Sequence, residues 1–229
     1  MTTGTGSSRR IEVFKIILIW VAQWLTIVGG TIYLLAPVGA DQLNRFYLTC
    51  AYFLTFAGYG AWYYKIHQVF PHHISLKKQV VPILYLVLAT FVFCIAVDFL
   101  FPISEITRQA ILAQRFYFPL FEYPTVAAKV CDITYQQVFV YGLVKSLKKT
   151  GLSDSNTLKL FLLSFFSIHL PLFFSFKLFA VVFIVPSFFA GALFSYLILK
   201  YRLGFFKSYA LHVSFYLTVG IFFRYFYFT

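Results

Sequence analysis

The chain has 229 residues, 61% of them hydrophobic, 22% aromatic and only 11% charged. A soluble domain is about half apolar and a quarter charged, so this balance excludes an ordinary soluble domain and points to a polytopic membrane protein. The formal net charge of +12 is no argument for nucleic acid, because basic residues in such a chain set topology and meet anionic membrane lipids.

Residues 1–10 end in Arg9 and Arg10 and read as a short disordered cytoplasmic tail. Residues 11–229 read as one integral membrane domain, without an internal repeat or a low-complexity linker. About 20 apolar residues cross a bilayer as a helix. By that measure seven spans are predicted, at residues 13–37, 46–64, 80–101, 124–144, 158–176, 178–199 and 209–227. The first exceeds a signal-peptide core and lacks a small-residue cleavage site, so it reads as a retained anchor. Residues 102–123 carry Glu105, Arg108, Arg115 and Glu122 and are too polar to span. They are expected along the surface or partly re-entrant, which leaves an eighth embedded helix open. The predicted fold is all-α, a membrane helix bundle.

The positive-inside rule orients it. With a cytoplasmic N-terminus, the inner segments hold Arg9 and Arg10, then Lys65, Lys77 and Lys78, then Lys145, Lys148, Lys149 and Lys159, then Lys200, Arg202 and Lys207. The outer segments hold only Arg45, Arg108, Arg115, Lys177 and Arg224. Lys15 and Lys129 fall near span ends, where they are expected to snorkel. Cys50, Cys94 and Cys131 share no metal-type or redox spacing and read as buried thiols, with no disulfide expected. A bacterial inner membrane suits the size.

The fourth span stands apart. From residue 131 it reads C-D-I-T-Y-Q-Q-V-F-V-Y-G-L-V-K, apolar enough to cross a bilayer yet carrying Asp132, Thr134, Gln136, Gln137 and two tyrosines. Hydrocarbon offers these groups no water, so each needs a protein partner or a wet cavity. Helix rise puts Gln136 roughly 13 Å, His169 roughly 15 Å and His212 roughly 8 Å from the cytoplasmic lysines of their spans. Asp132 lies one turn from Gln136 on the same face. Neutral imidazole suits zinc, so Asp132, His169 and His212 form a candidate metal set. The bland reading of the same residues is interhelical hydrogen bonding. His67, His72 and His73 fall in a cytoplasmic loop and read as solvated.

The order of three motifs carries a resemblance. Q-Q-V-F-V-Y-G at 136–142, F-F-S-I-H at 165–169 and the helix–turn–helix run at 190–216 resemble the CPBP family. These are the CAAX prenyl endopeptidase and bacteriocin-processing (Abi) intramembrane proteases. The likeness covers about residues 123–216. It implies an all-helical membrane fold in which a glutamate pair activates water for peptide hydrolysis, with the histidines acting through a metal in the metalloprotease reading. Carried over, Gln136 and Gln137 take the glutamate positions and Tyr141 the arginine. Phe165 and His169 match the second motif, and His212 the third, with Tyr216 in place of asparagine. A glutamine amide is no general base at neutral pH and a poor metal ligand. The resemblance therefore implies a pseudo-enzyme that binds a membrane peptide, lipidated substrate or partner subunit in a polar intramembrane cavity, with no cofactor. The alternative is an active protease using Asp132 as a displaced base with His169, His212 and a metal such as zinc. A seven-helix carrier or receptor is a further alternative from a different class.

Overall fold

Pro124 has the fixed φ that suits a first helical turn, and the run behind it contains no further proline. The result is a helix at Tyr123–Lys149, and its two closing lysines suit the negative end of the helix dipole. In the computed structural model, which describes residues 6–66, 76–102, 105, 121–171, 181–222 and 224, this helix packs against all six others. We number them α1 (Gly6–Gly30), α2 (Phe46–Tyr63), α3 (Leu76–Leu100), α4 (Tyr123–Lys149), α5 (Asp154–His169), α6 (Val181–Lys200) and α7 (Gly204–Phe222). Among the described residues there is no strand, and the all-helical expectation holds.

Helix ends follow local chemistry. After α1 the chain widens into a π-helical turn at Thr31–Leu35, tightens into a 3-10 turn at Ala36–Val38 containing Pro37, then leaves through Gly39 at φ +66°. Ser153 caps α5 by accepting a hydrogen bond from the Asn156 amide. The predicted spans and the helices largely coincide, with two corrections: the helix of the fifth predicted span, 158–176, runs Asp154–His169 and gives way to a turn at 170–171, and the start of the chain differs. The helix begins at Gly6, so residues 6–10 of the expected tail are helical, because the serines and arginines there hold no breaker against a helix already formed behind them. His67, His72, His73 and nearly all of 102–123 lie outside the described residues.

α2 and α4 form the most intimate pair. Phe46 meets Tyr123 at 5.4 Å between ring centroids, Phe53 stacks on Tyr135 at 5.4 Å, and Tyr64 meets Phe139 at 5.7 Å. Ascending numbers pair with ascending numbers, so the two helices run parallel. Glycines allow the approach: a β-carbon at Gly60 would sit 2.7 Å from the Phe139 ring, and one at Gly142 would strike Tyr64. α1 joins them where the Trp20 indole N–H donates to the Phe139 carbonyl at 2.9 Å.

The outer surface is apolar. On α3, Leu84, Leu88, Val92, Ile95 and Phe99 are exposed, Phe99 at 85%; on α1, Phe14, Leu18 and Leu25 face outward too, as does Ile32 in the turn after it. A contiguous apolar exterior is rare on soluble monomers and marks contact with lipid or partners. Ser8–Val38 is the one stretch among the described residues long and apolar enough to cross a membrane by length and composition; Leu88–Leu100 and Ile184–Lys200 are shorter apolar helices.

Candidate functional site

Consecutive residues on a helix point about 100° apart, and α4 uses this to separate its two glutamines. Gln137 is fully buried and faces α7. Its amide Nε2 lies 2.8 Å from His212 Nδ1, and the Ser208 hydroxyl donates to its Oε1 at 3.1 Å. The carboxamide NH2 donates and Nδ1 accepts, which leaves the ring proton on Nε2 of a neutral imidazole. Ser208, His212 and Tyr216 recur every fourth residue on one face of α7, so one stripe meets α4 along its length. The His212 ring packs between Phe194 of α6, at 4.8 Å, and Tyr216, at 5.2 Å.

Gln136 turns the other way and is only partly buried. Its amide donates to Asp132 Oδ1 at 2.7 Å, and Lys129 Nζ reaches Asp132 Oδ2 at 2.6 Å. Both oxygens of Asp132 are thus engaged. The same ammonium lies 4.5 Å from the Tyr216 ring centre, which links this charged turn to the His212 stripe. Lys129 was expected to snorkel; a buried carboxylate one turn away draws its head inward instead. Thr134 and Tyr209 exchange a hydroxyl contact at 3.1 Å and extend the α4–α7 seam.

The remaining expected positions do not join it. His169 Nδ1 bonds the Phe165 carbonyl of its own helix at 2.7 Å, and its ring packs on Phe165 at 4.7 Å. α6 places Gly191 against Phe165 and Phe194 against His212, one turn apart. Tyr141 packs on Phe205, and its hydroxyl is buried without a hydrogen-bond partner among the described residues. Among those residues no three His, Cys, Asp or Glu side chains gather as metal ligands, so the expected set of Asp132, His169 and His212 is not assembled. Each is already committed: Asp132 to Lys129 and Gln136, His212 to Gln137, and His169 to its own backbone.

Beside the seam runs a crevice lined by Phe121, Lys129, Val130, Val213, Tyr216 and Leu217, with about 10 Å³ of free space, room for roughly one water. Ser208, Phe194 and Tyr209 were not singled out from the sequence, and Lys129 was read only as a snorkelling residue. The fourfold spacing of Ser208, His212 and Tyr216 was the signal that could have found the α7 face. In comparison with known proteins, no family model, curated protein or solved structure matches the chain.

Proposed function

We propose that the protein is a polytopic membrane protein with a cytoplasmic N-terminus, seven spans and a catalytically inactive CPBP-like core that holds a membrane-embedded partner. The observation that carries this reading is the neutral Gln137–His212–Ser208 contact. By the resemblance, Gln137 takes a glutamate position and His212 the histidine of the third motif. An amide there can neither take a proton from water nor hold a divalent cation by charge. The outward apolar side chains of α1 and α3 support reading the helices as spans, since lipid is the environment that such faces need. The partner is a lipidated peptide or a transmembrane segment of another subunit. It docks along the α4–α7 seam from the lipid side, because the crevice beside Tyr216 is too narrow to swallow a chain. A bacterial inner membrane remains the proposed location.

The active-protease alternative needs Asp132 free to act as base, and both its oxygens are taken. The test is reconstitution of the full chain in liposomes with prenylated and lipid-anchored peptides carrying a photoreactive group. Crosslinking to α4 or α7 without cleavage is expected. Cleavage that disappears in His212→Ala or His169→Ala would overturn the inactive reading.

A further inference from the structure

The three cysteines have no informative spacing, and 81 positions separate Cys50 from Cys131. Packing brings those two together. On α2, Phe46, Cys50 and Phe53 follow one another at intervals of four and three, which places them on one face. On α4, Tyr123, Cys131 and Tyr135 share a face by the same rule. Phe46 meets Tyr123 and Phe53 stacks on Tyr135, so the turn between these contacts sets Cys50 opposite Cys131. Their thiols are close enough to interact. Both are partly exposed, whereas Cys94 is fully buried on α3.

We propose that Cys50 and Cys131 form a covalent modification site, a dithiol pair that closes to an α2–α4 disulfide on meeting an external low-molecular-weight disulfide. One cysteine thiolate attacks the reagent and forms a mixed disulfide, releasing one reagent thiolate. The second cysteine thiolate then attacks the mixed disulfide at the first cysteine's sulfur and releases the other reagent thiolate. Two electrons pass from the pair to the reagent, and two protons leave the cysteines. A disulfide needs α-carbons about 4.4–6.8 Å apart, and two helices seated on glycines at Gly60 and Gly142 are the kind that approach so closely. The bond would pin α2 to the residue immediately before Asp132, and so fix the turn that carries the Lys129–Asp132–Gln136 cluster. The proposal rests on the α2–α4 packing and is independent of the proposed function.

The test treats the full chain in lipid nanodiscs with oxidised glutathione, alkylates the remaining thiols and maps the peptides by mass spectrometry without reduction. The expected product is an intrachain Cys50–Cys131 peptide pair, with Cys94 alkylated only after denaturation. Cys50→Ser and Cys131→Ser should each leave glutathione attached to the remaining partner and no internal bridge. Glutathione on both cysteines of one chain, a bridge between two chains, or no loss of either thiol would overturn the proposal.

Discussion

Two polar clusters tie α7 to the rest of the bundle, and they do it with opposite chemistry. At one end Arg224, just past α7, is buried and reaches Asp98 of α3 at 2.9 Å and the Phe121 carbonyl at 2.7 Å, and also bonds the Phe101 carbonyl. Asp98 in turn accepts from the Tyr123 amide at 2.8 Å, so one carboxylate serves both the arginine and the first turn of α4. Halfway along, Gln137, His212 and Ser208 make the equivalent connection with no formal charge. The difference follows from access to water. Asp98 keeps 30% of its side chain exposed, whereas Gln137 and Ser208 are 0% exposed. Of these two clusters, the ionic one stands where one partner stays partly exposed, and the neutral one where Gln137 and Ser208 are both enclosed.

That contrast breaks most sharply at the ionic end. Arg224→Ala strands Asp98 and leaves carbonyls of the α3 end unpaired, and should cost about 3 kcal/mol in unfolding measured in one fixed detergent. Lys129→Met strands Asp132 beside Gln136 and should cost about 2 kcal/mol, with part recovered in Lys129→Met combined with Asp132→Leu. The neutral cluster should give way less. Gln137→Leu leaves His212 and Ser208 each without one partner, for about 1 kcal/mol, whereas Gln137→Glu should cost more because it puts a charge at a dry position. The smallest effect belongs to exposed charge. Asp154 is held down from 3.8 to about 2 by its hydrogen bonds to Lys148 and then Lys200. A depressed carboxylate contributes above its unfolded value and loses that contribution as pH falls through the folded one. Asp154→Asn should therefore flatten the thermal-stability profile only between about pH 4 and 2.

The bundle was legible in the sequence because apolar length is a local property. The helix at residues 46–63 matches its predicted span to within one residue. α4 was also marked out correctly as the odd helix, since polar residues in an apolar run can only be served by protein neighbours. Side-chain direction was less legible. Gln136 and Gln137 are adjacent letters that part company on the helix, and the resemblance treated them as a pair. Asp132 looked like a spare base because Lys129, three positions earlier, was assigned to the membrane surface. Arg224 was counted only as an outer charge, although it is 5% exposed and bound to two segments, the end of α3 and Phe121 before α4. Such partners lie more than a hundred positions away, and no window along the chain reveals them.

The Trp20 indole in α1 donates to a carbonyl of α4, more than a hundred residues downstream. Translation delivers the N-terminal helices first, so α1, α2 and α3 emerge from the ribosome before the segment they enclose has been made. The Trp20 indole, the Gly60 notch and Phe53 must wait unfilled until that segment arrives. A nascent chain cut short before residue 123 would expose these unmatched surfaces, which makes the early intermediate a natural client for chaperones and quality-control proteases.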